Sequence, residues 1–143
     1  MISLIIFSVG NSRYSLNIDN IQRIIQAKGL TDIPNSHEYI DGMMSHEDGV
    51  IKVLNFRKLI GLPAHEEDSL EVDELSQKFI IFEKESLCFA IKVDSIEDIA
   101  HIEESSIMSS EQEVDGSEFL ELQGVLELDG VLINVIKTVS LPS

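Results

Sequence analysis

The side chains that could do acid–base, nucleophilic or metal chemistry are plentiful in this sequence, but their spacing does not suit it. The four histidines (His37, His46, His65 and His101) are scattered, and none falls in a His-Glu-x-x-His zinc pattern. His65-Glu66-Glu67-Asp68 offers consecutive ligand types, yet adjacent residues on a loop seldom converge on one cation. Glu111-x-Glu113-x-Asp115-Gly116 begins like a calcium loop, which needs a bidentate glutamate at its twelfth position. That position is Leu122, and Glu121 falls one residue short. Cys88 lies in the apolar run Leu87-Cys88-Phe89-Ala90-Ile91, with no adjacent base or cation to favour a thiolate, and reads as a buried structural thiol. There is no Gly-rich phosphate loop and no Gly-x-Ser-x-Gly elbow. Carboxylate pairs abound because the composition is acidic. No catalytic residue, metal or cofactor is expected.

That acidity is the chain's main compositional feature. Among 143 residues, 26 are acidic and 10 basic, a formal net charge of −16. Such a field repels the nucleic-acid backbone and anionic membrane surfaces, so neither is an expected partner. A 43% hydrophobic content argues against disorder. A single cysteine excludes an intramolecular disulfide and fits a reducing cytosol. Met1–Val9 is apolar but lacks a basic flank and a cleavage pattern, and no run approaches membrane-spanning length. The expectation is a soluble, cytoplasmic protein without direct membrane insertion.

The charge is unevenly spread. Residues 1–62 hold six acids and six bases, whereas residues 63–143 hold 20 acids and four bases. The densest runs are Glu66–Glu74 and Glu103–Glu121, which read as solvated loops.

The hydrophobic pattern predicts strands. Ser3–Val9, Arg13–Ile18, Asp48–Phe56, Phe79–Phe82, Leu87–Val93, Phe119–Leu128 and Val131–Ile136 are short and rich in Ile, Val, Leu and Phe. Gly10-Asn11-Ser12, Glu47-Asp48-Gly49 and Asp129-Gly130 look like hairpin connections. Helical turns are expected only near Ser36–Ile40 and at Arg57–Leu59, the latter ended by Gly61 and Pro63. The chain also repeats. Residues 4–24 slide onto 79–99 at an offset of 75, with Ile5, Ile6, Phe7, Asp19, Ile21 and Ile24 falling on identical residues. Gly42 through Val53 is echoed by Gly124 through Ile133. Two similar small β units are expected, one over about 1–62 and one over about 77–143. An acidic linker over about 63–76 would join them, and a shared apolar interface would hold them together.

The ordered landmarks resemble the CheW family of chemotaxis adaptor domains. They are Leu4-Ile-Ile-Phe7, Tyr14-Ser-Leu16, Ile18-Asp-Asn-Ile21, Ile33-Pro34, Tyr39-Ile40-Asp41-Gly42, Gly49-Val50-Ile51, Val53 through Arg57, Leu59 through Leu62, Val93-Asp94-x-Ile96, and Gly124 through Ile136. The resemblance implies an all-β fold of two SH3-like five-stranded β-barrels packed side by side. It implies no catalytic activity. The implied partners are the cytoplasmic hairpin tip of a chemoreceptor and the regulatory domain of the histidine kinase CheA, met at membrane-associated arrays. Ile5, Ile18, Ile21, Ile24 and Ile96 match positions of the groove where the receptor helix docks, and such a groove needs aliphatic anchors.

Two departures from the family pattern stand out. Arg23 stands where the family typically has glutamate, and Glu47 where it typically has arginine. These opposite reversals suggest that the two positions pair with each other or face one partner patch, with signs changed to suit a different partner. Lys52 (usually proline) and Lys137 (usually aspartate) depart as well. The alternative is a diverged SH3-like binding module that serves another receptor–kinase pathway, or a decoy that does not couple to a kinase. A small acidic hydrolase is a more distant rival, lacking any constellation to support it.

Overall fold

The computed structural model describes residues 1–47, 49–61, 77–108 and 119–142. The described residues form ten strands: β1 (Ile2–Val9), β2 (Ser12–Asn17), β3 (Ile21–Gln26), β4 (Ile40–His46), β5 (Gly49–Asn55), β6 (Lys78–Lys84), β7 (Leu87–Val93), β8 (Ser95–Ile102), β9 (Leu120–Leu128) and β10 (Val131–Val139). One α-helical turn lies among the described residues, α1 (Phe56–Leu59), capped by the Asn55 side chain, which accepts from the Lys58 amide. Gly61, at φ 81°, follows it. The other expected helical turn is absent. His37–Ile40 is a reverse turn in which the Ile40 amide donates to the His37 carbonyl.

The strands assemble into two five-stranded sheets, in the orders β8-β1-β2-β10-β9 and β3-β6-β7-β5-β4. The all-β expectation holds, and the repeat is real. Exchanging each strand for the one five places along the chain turns the first order into the second. The expected division near residue 62 does not hold, however. One barrel is continuous in sequence, β3 to β7, and the other is split, with β1 and β2 completed by β8, β9 and β10. The two crossings between sheets are short: a 3-10 turn at Ile18–Asn20 after β2, and Asp94 alone between β7 and β8. The run expected as an acidic linker falls in sequence between α1 and β6, inside the continuous barrel's stretch, and lies outside the described residues.

Each sheet is tied edge to edge by one isolated bridge. In the continuous barrel, Thr31 and Met43 exchange two backbone hydrogen bonds, at 3.0 and 2.9 Å. In the split barrel, Met108 and Val125 do the same at 2.8 and 2.7 Å. Gly42 and Gly124, the glycines that the repeat aligns, sit at these bridges. A Cβ on Gly42 would lie 2.6 Å from the Thr31 carbonyl oxygen, and one on Gly124 would overlap that of Met108.

Strand alternation sorts the apolar side chains into three cores. Leu4 and Ile6 of β1 face into the split barrel with Ile102, Leu126, Ile133 and Val135. Phe79 and Ile81 of β6 face into the continuous barrel with Met44, Ile51, Val53 and Ala90. Their neighbours Phe7, Val9, Ile80 and Phe82 point the other way, into a larger core shared by the two sheets. There Phe56 meets Phe7 edge to face at 5.3 Å and Tyr14 at 4.9 Å between ring centroids. This shared core is the apolar interface expected from the sequence, and it fixes the barrels against each other.

Candidate functional site: the rim of the seam

Where the chain crosses between barrels, the shared core reaches the surface. Ile18 in the crossing turn is 36% exposed, and Ile21 and Ile24 of β3 and Ile96 of β8 are half-buried against the shared core. Four of the five expected groove residues therefore lie along the strands β3 and β8 and the turn that leads into β3. Ile5 does not join them. It is 3% exposed on β1, between Leu16 of β2 and Ile99 of β8, and offers no surface to a partner. Ile99, also on β8 and absent from the expected set, is 46% exposed. The signal for it was present, since Ile99 is the repeat partner of Ile24.

β3 and β8 pair on one side only, with β6 and β1 respectively, and each carries a register shift: between Ile21 and Arg23 in β3, and opposite Ile6 and Phe7 in β8. An irregularity of this kind re-aims side chains. It lets isoleucines three apart (21 and 24, 96 and 99) serve the same margin, which strict alternation would forbid.

The two reversed charges do not pair among the described residues. Glu47 lies at the tip of the β4–β5 hairpin with φ 54°, and its carboxylate is 3.8 Å from His46 Nε2. Gln22 Nε2 donates to Glu47 Oε1 at 3.4 Å and to Glu83 Oε2 at 3.0 Å, while Gln22 Oε1 meets His46 Nε2 at 2.5 Å. Arg23, exposed on β3, is the chain neighbour of this Gln22. The two charges thus stand at the same end of the continuous barrel without touching.

Two charged networks that sequence reasoning did not single out hold the site's frame. Asp94, alone between β7 and β8, accepts from Arg57 Nη1 at 2.9 Å and from the Gly10 amide at 2.8 Å, and its own amide donates to the Ser8 carbonyl at 3.1 Å. Its side chain is 13% exposed and that of Arg57 14%. One carboxylate therefore joins α1 of the continuous barrel to the β1–β2 turn of the split one. Asp41, 15% exposed, receives Asn55 Nδ2 at 2.9 Å and the ammonium groups of Lys58 and Lys92, each at 3.4 Å. The departing Lys137 is 64% exposed, 3.7 Å from Glu121, and adds little at such exposure.

Cys88 is half-buried on β7. Burial pushes its thiol pKa up, and the Glu83 and Glu47 carboxylates push the same way. A raised pKa lowers the thiolate fraction at neutral pH, so alkylation of native protein by iodoacetamide at pH 7.5 is expected to run slower than that of the urea-unfolded chain. Equal rates would contradict the assignment. Among the described residues, no group of three or more His, Cys, Asp or Glu side chains could hold a metal ion. No helix among them is long and apolar enough to cross a membrane. The calcium-like run 111–116 and His65–Asp68 lie outside the described residues.

Residues 3–142 match the family model of the CheW-like domain. A chemotaxis protein CheW from Bacillus subtilis is 24% identical over 133 residues, which cover 93% of this chain and 81% of that protein. One from Rhizobium meliloti is 23% identical over 134 residues, 94% of this chain and 83% of that protein. The crystal structure of scaffolding protein TtCheW from Thermoanaerobacter tengcongensis superposes with a TM-score of 0.81 at 22% identity, covering 95% of this chain and 88% of that one. The fold, two SH3-like β units related by an internal repeat, is the same. The chain belongs to the CheW-like domain family of chemotaxis adaptors.

Proposed function

We propose that this protein is a non-catalytic cytoplasmic adaptor that couples the cytoplasmic hairpin tip of a chemoreceptor to the regulatory domain of the histidine kinase CheA in membrane-associated arrays. The observation that carries this reading is the aliphatic rim at the seam, where Ile18, Ile21, Ile24, Ile96 and Ile99 surface around a rigid shared core. A helical hairpin presents apolar side chains at i, i+3, i+4 and i+7, and a row of isoleucines held on two strands receives such a stripe. Co-sedimentation with receptor fragments, with and without the kinase regulatory domain, tests it. Wild type is expected to be enriched in the pellet. Ile99→Asp, at an exposed position, is expected to weaken receptor binding about tenfold or more through desolvation of its charge, with melting little changed. Absence of enrichment in both mixtures would remove the coupling reading.

Arg23 and Glu47 set partner choice in this reading. Both are exposed at one end of the continuous barrel, where their charges are free to meet an incoming surface. A kinase or receptor carrying the usual complementary charges is disfavoured by each reversal. The double substitution Arg23→Glu with Glu47→Arg is therefore expected to raise affinity for a standard CheA–receptor pair about tenfold. No gain over wild type would rule the charge swap out.

A further inference from the structure

The end of the continuous barrel that contains the Thr31–Met43 bridge holds an open cavity of about 540 Å³, lined among others by Gln26, Lys28, Asp41, Gln77, Phe79 and Lys92. Its electrostatics run against the rest of a chain with net charge −16. Among the described lining residues two lysines, Lys28 and Lys92, stand against one carboxylate, Asp41, which Asn55 and Lys58 also engage. The surplus there is positive.

The decisive group is Gln77. It is 8% exposed, one of two buried polar residues among those described, and its carboxamide makes no hydrogen bond to another described residue. Its backbone carbonyl is used, accepting from the Ala27 amide at 3.1 Å. Leaving a buried amide unpaired is costly, so the Gln77 carboxamide calls for a partner beyond the described side chains. The fold itself does not require an amide here. The 75-residue offset places Gln77 on Ile2, an aliphatic residue packed against the split barrel's core. The same offset puts Lys92 on Asn17 and Lys28 on Glu103, so the second barrel has lost or never acquired the whole set.

We infer that this cavity binds a small oxyanion, a phosphate or carboxylate group, with Lys28 and Lys92 supplying positive charge and the Gln77 carboxamide donating a hydrogen bond. Lysine is suited to such a group as a point charge with three donors, and partial burial strengthens the contact over one in open water. The site lies at the bridge end of the barrel, and the inference does not rest on the adaptor reading.

The test is titration of the full-length ¹⁵N-labelled protein with inorganic phosphate and, in parallel, with succinate, each against sodium chloride at matched ionic strength. Saturable shifts at the amides of Ala27, Lys28 and Gly29 and at the Gln77 side chain are expected, with a dissociation constant of about 1 mM. Saturation by phosphate alone assigns a phosphoryl ligand, and saturation by both assigns oxyanions in general. Lys28→Met and Gln77→Leu are each expected to weaken binding about tenfold. Lys28 is exposed, so that variant does not put folding at stake. Linear shifts with both anions, or saturation unchanged in both variants, would overturn the inference.

Discussion

Gly124→Ala is expected to destabilise the protein by about 3 kcal/mol, the upper end of overpacking costs. The added methyl would overlap the Met108 carbonyl oxygen and sit 2.8 Å from its carbonyl carbon, both backbone atoms that cannot rotate away. Relief requires moving Met108, whose two hydrogen bonds to Val125 tie β9 to the segment after β8. The substitution therefore forces either a clash or loss of the bridge, with about 1 kcal/mol for each bond lost. Gly42→Ala is expected to act similarly in the other barrel. Its Cβ would meet the Thr31 carbonyl oxygen at 2.6 Å, and its φ of +153° adds backbone strain. The comparison is Gly49→Ala, where nothing lies within 4 Å and the effect should stay within about 0.5 kcal/mol. Urea melts followed by far-UV circular dichroism check all three. With slopes of about 1–3 kcal/mol/M, the Gly124 midpoint should fall by roughly 1–3 M while the Gly49 midpoint hardly moves. Equal midpoints for Gly124→Ala and Gly49→Ala would show that the bridge is not what requires glycine.

Asp94→Ala is the second large effect, at about 2–3 kcal/mol. The largely buried Arg57 guanidinium would lose this carboxylate and the Gly10 amide its acceptor, and removing one member of a largely buried ion pair costs more than the pair contributes. Arg57→Met is expected to cost less, because Asp94 keeps the Gly10 amide and the methionine retains the apolar stem. Changing both residues, Asp94→Ala with Arg57→Met, should recover part of the single loss. Thermal melts check this ordering. If Asp94→Ala melts within about 0.5 kcal/mol of wild type, the carboxylate does not join the barrels energetically. A loss of receptor binding by a folded Asp94 variant would add that the clamp sets the relative placement of the two rims.

Much of this architecture was legible in the sequence. The strands with unbroken apolar runs, such as Leu4–Phe7, Phe79–Phe82 and Phe89–Ile91, announce themselves because they are buried on both faces: one lines a barrel, the other the seam. The three strands that escaped the pattern did so for local reasons. β3 (IQRIIQ) and β8 (SIEDIAHI) carry register shifts that break the period of two, and β4 (IDGMMSH) contains the glycine that the bridge requires. Missing β3 and β8 hid the exchange between halves, since each begins the three-strand run (β3 to β5, β8 to β10) that shares a sheet with the first two strands of the other half. The repeat disclosed two similar units but carried no information about which copy of each strand goes where. In the candidate rim, β-branched aliphatics look alike whether buried or exposed, which is why Ile5 was grouped with Ile18 and Ile99 was left out. Single-residue ties such as Asp94 depend on partners far apart in sequence and leave no local pattern.

The split construction also sets an order of events during synthesis. All five strands of the continuous barrel have been made once residue 93 has left the ribosome. The β1–β2 hairpin emerges first of all, yet more than 70 residues must follow it before β8 arrives to cover one flank of its sheet, and β10 comes later still. Such distant pairings form slowly, and an uncovered hairpin edge is exposed to wrong partners meanwhile. The earliest of the ten described strands thus belong to the last sheet finished, and the shared core closes only when β10 arrives.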